Sequence, residues 1–154
     1  MEIERKFLID NLPENLGSYA CRHLEQAYLC TDPVVRVRKN DLYCELTYKS
    51  KGLLSREEYN LPLSAEAYAH LLSKADGNVI TKTRYLIPLG VGLTAELDVF
   101  TGPYEGLSLV EVEFPSEEDA RSFTPPTWFG EEVTWSSRYH NSTLSQADPS
   151  DYKA

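Results

Sequence analysis

Hydrophobic and polar residues alternate along most of the chain, and this pattern predicts a protein built mainly of β-strands. Side chains at positions i and i+2 of a strand point to the same face, so each strand would have one apolar and one polar face. Eight runs show the alternation, at residues 2–10, 19–30, 34–39, 42–50, 54–61, 78–88, 93–101 and 108–115.

Helix signals are fewer than strand signals. Ser64 and Ser116 each precede acidic residues at the positions of a first helical turn, which predicts two capped helices. A third short helix is predicted near residues 138–145. No repeat, low-complexity tract or linker divides the chain. We therefore expect one domain at residues 1–144, followed by a frayed polar tail at residues 145–154.

The polar faces of the strands carry paired like charges, acidic in some strands and basic in others. The pairs are Glu2 and Glu4, Arg36 and Arg38, Lys82 and Arg84, Glu96 and Asp98, and Glu111 and Glu113. A solvated sheet face explains any single pair. Their recurrence favours an inward-facing arrangement, because like charges side by side repel and need a counter-charge nearby.

The helices carry modest apolar stripes, which could cover the apolar outer face of the sheet and leave its charged face turned inward. The pattern therefore predicts an α+β fold, an eight-stranded antiparallel β-barrel with a charged interior and a few covering helices. Clustered carboxylates suit a hard divalent cation, Mg²⁺ or Mn²⁺, and arginines suit phosphate oxygens. Together these charges predict a metal–polyphosphate site.

Composition excludes several other classes. Fifteen Lys and Arg against 24 Asp and Glu give a net charge of −9, which disfavours duplex nucleic acid as the main partner. No run approaches the ~18 apolar residues of a membrane span, and the charged N-terminus does not resemble a signal peptide, so we expect a cytoplasmic protein. The cysteines and histidines lack the spacing of zinc ligands.

The opening residues, Glu2-Ile3-Glu4-Arg5-Lys6, resemble the ExExK signature of the CYTH superfamily, also called triphosphate tunnel metalloenzymes. The segments that resemble the family's successive strands and its closing segment are Gln26-Ala27-Tyr28-Leu29, Arg36-Val37-Arg38, Glu45-Leu46-Thr47-Tyr48-Lys49, Lys82-Thr83-Arg84-Tyr85, Glu96-Leu97-Asp98-Val99-Phe100, Glu111-Val112-Glu113-Phe114, Gly130-Glu131-Glu132-Val133-Thr134 and Arg138-Tyr139-His140-Asn141. The resemblance covers nearly the whole chain. It implies an eight-stranded barrel around a hydrophilic tunnel and action on a triphosphate-bearing substrate with a divalent metal.

The resemblance also implies roles for particular residues. The implied metal ligands are Glu2, Glu4, Asp98, Glu111 and Glu113. The implied phosphate-binding residues are Lys6, Arg36, Arg38, Lys49, Lys82 and Arg84. The implied catalytic residues are Lys6, Glu58 and Glu96, with Glu58 a candidate to accept the proton of the attacking water.

Two segments depart from the family's pattern. Asn60 stands where the family's R-x-E-x-E strand ends in Glu, so one carboxylate is missing. Trp135-Ser136-Ser137 follows Val133-Thr134, where the closing segment usually has an Asp.

The expected function is metal-dependent hydrolysis of inorganic tripolyphosphate, since a small single-domain chain lacks an added module to bind a nucleoside. A class IV-type adenylate cyclase would use the same site for attack on the α-phosphorus. A thiamine triphosphatase would need an aromatic platform, which Trp128, Trp135 or Tyr28 could supply. Two non-enzymatic functions also fit the pattern, a sensor of polyphosphate or nucleotides and an interaction scaffold with outward-facing charges. The sequence leaves monomer and homodimer open.

Overall fold

The computed structural model describes residues 1–152. Their nine strands form one antiparallel sheet with the order β5-β1-β9-β8-β7-β2-β3-β4-β6. The strands are β1 (Glu2–Leu8), β2 (Ala20–Thr31), β3 (Val34–Asn40), β4 (Tyr43–Lys49), β5 (Ser55–Arg56), β6 (Glu58–Leu63), β7 (Asp76–Gly90), β8 (Leu93–Thr101) and β9 (Ser108–Glu113).

The two edge strands of this sheet, β5 and β6, are consecutive in the chain and are separated by Glu57. The first pairs with β1 and the second with β4. This bent segment therefore connects the two edges of the sheet and nearly closes it into a barrel. The predicted antiparallel barrel is confirmed, and the strand count differs because the run predicted at 54–61 breaks at Glu57.

Three helices and several 3₁₀ turns complete the described residues. The helices are α1 (Ala65–Leu72), α2 (Glu117–Ser122) and α3 (Asn141–Gln146). The Ser64 hydroxyl accepts a hydrogen bond from the amide of Ala67, and the Ser116 hydroxyl accepts one from the amide of Asp119, so both predicted caps are confirmed. No helix within residues 1–152 is long and apolar enough to cross a membrane.

The apolar faces of the strands point outward and pack against the helices and the closing segment. Ile3, Phe7, Leu97, Val110 and Val112 belong to the largest apolar cluster, together with residues of α2 and of the segment after it. Because side chains alternate along a strand, burying these residues outside the barrel turns the charged residues between them inward.

The end of the chain is more ordered than a frayed tail. Ser145 is fully buried in α3, and Pro149–Tyr152 form a 3₁₀ turn. The ring of Tyr152 packs edge-on against Tyr104 and lies 4.1 Å from the guanidinium carbon of Arg138. An aromatic side chain thus holds residues 149–152 against the rest of the fold, where the sequence predicts a frayed tail. Residues 153 and 154 lie outside the described residues, and the domain boundary at residue 144 stays a prediction.

Candidate active site

The inward-facing charges of the strands line one cavity of about 190 Å³ inside the barrel. The acidic residues that line it are Glu2, Glu4, Glu45, Glu58, Glu96, Glu111 and Glu113. Its basic wall residues are Lys6, Arg36, Arg38, Lys49, Arg56 and Arg84. Glu2 is 7% exposed and Arg36 is 3% exposed. The charged faces thus point inward, which rules out the scaffold with outward-facing charges.

Strand register brings the carboxylates together on one side of the barrel. Glu4 of β1 lies opposite Glu113 of β9, and Glu111 of β9 lies opposite both Lys6 of β1 and Glu96 of β8. We call Glu2, Glu4, Glu96, Glu111 and Glu113 the acidic wall. Most of the basic residues come from β3, β4 and β7, on the other side of the sheet order.

The acidic wall holds more negative charge than its surroundings balance. Burial, together with repulsion from Glu111 and Glu2, raises the pKa of Glu4 well above its usual range. Burial followed by repulsion from Glu2 raises the pKa of Glu113 as well. Burial also opposes ionisation of Glu111, but Lys6 and Arg84 outweigh it and hold the pKa of that carboxyl well below its usual range. A bound cation would relieve the repulsion between these carboxylates.

The donor chemistry fits a hard divalent cation. Within residues 1–152, no three Asp, Glu, His or Cys side chains converge into a ready-made metal cage. Glu111 instead lies 3.4 Å from the ammonium of Lys6, and Arg56 lies 3.2 Å from Glu2 and 3.9 Å from Glu4. Mg²⁺ commonly takes one or two carboxylates and completes its coordination with water and substrate phosphates. A pair of wall carboxylates is sufficient for such a site.

Asp98 and Lys82 do not line this cavity, unlike the other residues predicted to form the site. Asp98 is 2% exposed, and its oxygens accept hydrogen bonds from Arg84 Nε at 2.8 Å and Arg84 Nη2 at 2.9 Å. The ammonium of Lys82 lies 2.6 Å from Asp98 and donates to Asn141 Oδ1 at 3.1 Å. Burial opposes ionisation of Asp98, but Arg84 and Lys82 hold its pKa below its usual range. Asp98 is therefore a buried partner of Arg84 and Lys82 in this structure, and its role as a metal ligand stays a prediction.

Arg36 and Arg38 carry the uncompensated positive charge of the cavity. Within the described chain, neither guanidinium lies within ion-pair distance of a carboxylate. Burial, followed by repulsion from Arg36 and Arg84, lowers the pKa of Arg38 to about 9. Arg36 Nη2 donates to Thr47 Oγ1 at 3.3 Å, and its buried Nε has no partner among residues 1–152. These groups are suited to binding an anion.

Lys49 is held between two carboxylates, at 3.0 Å from Glu2 and 3.2 Å from Glu58. Burial opposes ionisation of Glu58, but Lys49 and a hydrogen bond with Glu2 lower its pKa to about 2. So low a pKa makes a carboxylate a weak proton acceptor near neutral pH. In this structure Glu58 is a partner of Lys49, and its role as general base stays a prediction.

The departure at position 60 has a clear structural result. Asn60 Oδ1 accepts a hydrogen bond from Thr47 Oγ1 at 2.6 Å, and its amide nitrogen donates to Glu58 at 3.4 Å. A neutral amide therefore occupies this side of the cavity, where a further carboxylate would repel Glu58.

Three ionisable residues that line the cavity have no role predicted from the sequence. Arg56, between Glu2 and Glu4, could have been found from its place in the R-x-E-x-E segment. Glu45 shares the alternation of Thr47 and Lys49. His140 lies in a turn before α3, where no periodicity marks it. Burial, followed by Lys6 and Arg56, lowers the pKa of His140 to about 4.

A second cavity of about 540 Å³ shares Arg84, Glu96 and Glu113 with the first and is partly apolar, with Leu93 and Phe114 in its wall. Of the three aromatic residues considered as a platform for thiamine, only one lines the charged cavity. Tyr28 lines the charged cavity, whereas Trp128 packs against Phe129 outside the barrel and Trp135 is 62% exposed elsewhere on the surface.

The barrel and its interior define a tunnel-type protein with room for a small polyanion. The chain belongs to the CYTH domain family, whose model matches residues 1–149. This match confirms the resemblance that began with Glu2-Ile3-Glu4-Arg5-Lys6. Triphosphatases of this family are metal-dependent.

Two relatives are similar over nearly their full length. An inorganic triphosphatase of Nitrosomonas europaea is 43% identical over 151 residues, which cover 96% of this chain and 99% of the relative. An inorganic triphosphatase of Acetivibrio thermocellus is 36% identical over 147 residues, which cover 93% and 92% of the two chains.

Solved structures have the same fold. The crystal structure of an inorganic triphosphatase, 40% identical, matches with a TM-score of 0.71 and covers 96% of this chain and 95% of the other. A Hippeastrum protein described as a putative adenylyl cyclase with a dominant triphosphatase activity matches with a TM-score of 0.58 at 14% identity, covering 79% and 83%. This second similarity concerns the fold alone.

Proposed function

We propose that this protein is a divalent-metal-dependent triphosphatase that hydrolyses inorganic tripolyphosphate inside its barrel. One observation carries the proposal: a single enclosed cavity combines an acidic wall that lacks sufficient counter-charge with two arginines, Arg36 and Arg38, that have no carboxylate partner among residues 1–152. The names of the relatives from Nitrosomonas europaea and Acetivibrio thermocellus support the same activity.

The basic side chains bind the phosphates. Arg36 and Arg38 present guanidinium groups that can each fork onto two phosphate oxygens. Lys6, Lys49 and Arg84 also line the cavity, and their charges neutralise the rest of the polyanion. Holding the phosphate chain at both ends fixes the terminal phosphorus for in-line attack. The cavity, at about 190 Å³, accepts a small triphosphate-bearing molecule rather than a nucleic acid duplex.

Glu2, Glu4, Glu111 and Glu113 would hold Mg²⁺ or Mn²⁺, with phosphate oxygens completing the coordination. A bound cation neutralises phosphate charge and lowers the pKa of a coordinated water. Of the carboxylates predicted to be catalytic, Glu96 is the better proton acceptor, because burial raises its pKa whereas Lys49 holds the pKa of Glu58 low. Water attacks the terminal phosphorus and gives its proton to the base. The bond between that phosphorus and the bridging oxygen breaks, and orthophosphate and pyrophosphate leave.

The second cavity favours a second candidate function. Its partly apolar wall, with Leu93 and Phe114, adjoins Arg84, Glu96 and Glu113 of the charged cavity and offers room for an organic group attached to a triphosphate. Such a substrate would make the protein a nucleoside or thiamine triphosphatase, or an adenylate cyclase that attacks the α-phosphorus.

The test is phosphate release from tripolyphosphate, ATP and thiamine triphosphate, each with Mg²⁺, Mn²⁺ or a chelator. We expect release from tripolyphosphate to be the fastest and to stop with the chelator. The control is a double variant, Glu111→Gln with Glu113→Gln, which keeps side-chain size and should lose metal-dependent release while its circular dichroism spectrum stays native. Release that survives both the chelator and the double variant would contradict metal dependence. Tight binding without any release would indicate a sensor, and cyclic AMP from ATP would indicate a cyclase.

A further inference from the structure

Gln26, on the inner face of β2, is a buried residue whose side-chain amide is only half paired. It lies opposite Arg38 of β3 in the strand register and is completely buried. Its side-chain oxygen accepts a hydrogen bond from Arg38 Nε at 2.8 Å. Its side-chain nitrogen has no hydrogen-bond partner within residues 1–152. A buried amide that leaves one polar atom unpaired is costly, so its retention calls for a reason.

Arg38 and Arg84 each donate a hydrogen bond from Nε, but Arg38 donates to an amide and Arg84 to a carboxylate. Arg84 donates Nε and Nη2 to Asp98, and Glu96 lies 3.3 Å from its Nη1. The charge of Arg84 is therefore matched by carboxylates. The side chain of Arg38 makes a single hydrogen bond among the described residues, the one from its Nε to Gln26. Arg38 is oriented by a neutral group and its charge stays uncompensated.

The choice of an amide at position 26 has a chemical consequence. A carboxylate there would form an ion pair with Arg38 and cancel the charge that an anion needs. An apolar side chain would leave Nε unpaired and remove the contact that fixes the guanidinium plane. The orientation of the amide is determined, since the reversed amide would place N–H groups against the N–H of Arg38.

We propose that Gln26 is a positioning residue, which fixes the guanidinium of Arg38 for phosphate binding while leaving its charge available to the substrate. The terminal nitrogens of Arg38 remain available for a phosphate, and this residue lines the cavity whereas Gln26 does not. The inference rests on the proposed function, because it takes tripolyphosphate as the anion that Arg38 binds.

Two variants separate orientation from charge. Gln26→Met removes the acceptor at similar length, and Gln26→Glu keeps an acceptor at the same position but adds a negative charge. We expect Gln26→Met to raise the KM for tripolyphosphate about tenfold, the equivalent of one hydrogen bond, with a smaller change in kcat. We expect Gln26→Glu to raise KM further, while its Tm is no lower than that of Gln26→Met. If Gln26 had only a structural role, KM would instead rise more in Gln26→Met than in Gln26→Glu, since Gln26→Glu preserves the contact with Arg38.

A double-mutant cycle with Arg38→Ala tests whether Gln26 acts through Arg38. Affinity for tripolyphosphate is measured by calorimetry in the wild type, in Gln26→Met, in Arg38→Ala and in the double variant. We expect Gln26→Met to have no further effect once Arg38 is removed. An undiminished effect in the Arg38→Ala background, or wild-type affinity in Gln26→Glu, would overturn the inference. If Gln26→Met does not fold, Gln26→Glu alone carries the test.

The wild-type measurement distinguishes the two failures. If the wild type neither binds nor hydrolyses tripolyphosphate, the proposed function fails and the role of Gln26 fails with it. If the wild type is active and the Gln26 variants match it, only the role of Gln26 is refuted.

Discussion

Arg5 and Glu132, 127 residues apart in the chain, form a two-pronged ion pair with nitrogen–oxygen distances of 2.8 and 2.6 Å. Arg5 Nη1 also donates to the carbonyl oxygens of Ala120 and Phe123, at 2.8 and 2.9 Å. Within the ExExK segment, Glu4 and Lys6 therefore face the cavity while Arg5 faces outward. That arginine ties β1 to α2 and to the closing segment, so it has a structural role within a segment whose other charged residues line the cavity.

We expect Arg5→Ala to lower the free energy of unfolding by about 2–3 kcal/mol, because it leaves Glu132 and two carbonyl oxygens without their partner. Urea unfolding followed by tryptophan fluorescence measures the change. The matched control is Arg121→Ala, which removes an exposed pair with Glu117 at 3.8 Å and should cost less than ~0.5 kcal/mol. Equal losses in the two variants would contradict a structural role for Arg5.

Asp98 provides the second prediction, since it pairs with two buried basic groups. We expect Asp98→Asn to destabilise the protein by about 3 kcal/mol, because Arg84 keeps its charge and loses its buried counter-ion. Burial already lowers the pKa of Lys82 to about 7, so without the favourable charge of Asp98 this amine loses its proton and adds little to the cost. Urea unfolding without metal measures this effect. The competing view, that Asp98 is a metal ligand, predicts nearly unchanged stability and a higher Mg²⁺ requirement for phosphate release.

The third prediction distinguishes the catalytic roles of Glu58 and Glu96. Glu58→Gln should change kcat by less than about tenfold and act mainly on KM, because Glu58 holds Lys49 rather than accepting a proton. Glu96→Gln should lower kcat by about a hundredfold or more, the range of general-base catalysis. Steady-state phosphate release at saturating Mg²⁺ measures both values. A larger loss of kcat in Glu58→Gln than in Glu96→Gln would restore Glu58 as the base.

Strand periodicity explains why much of this site was predictable. Glu2, Glu4 and Lys6 alternate with the outward-facing Ile3, Arg5 and Phe7, and Arg36 and Arg38 flank the buried Val37, so their inward orientation follows from local geometry. The register of antiparallel strands then brings the charges of neighbouring strands together. The resemblance to the CYTH family added the order in which these strands follow one another.

The alternation does not predict which of the inward-facing side chains reach the cavity. Asp98 alternates like Glu96, and Lys82 like Arg84, yet the first residue of each pair is buried and the second lines the cavity. Lys82 contacts Asn141 of α3, and Asp98 is buried against Lys82 and Arg84. These contacts depend on how the whole barrel packs, and no local period encodes them. The same helix brings His140 into the site from a turn. The break at Glu57 likewise reflects closure of the barrel, a property of the whole sheet.

His140 provides the last prediction, a pH dependence. Its pKa in the folded protein is lowered to about 4, from an ordinary value of 6.5, by burial and by the charges of Lys6 and Arg56. The unfolded chain therefore binds the proton more readily between these two values, so His140 contributes stability that is present above pH ~6.5 and is lost as the pH falls through ~4.

We expect the free energy of unfolding to decrease less steeply between pH ~6.5 and ~4 in His140→Gln than in the wild type. Urea titrations at a series of pH values measure the two slopes, with His70→Gln, a change at an exposed position of α1, as the control. Parallel curves for His140→Gln and the wild type would show that His140 is not held neutral by its surroundings.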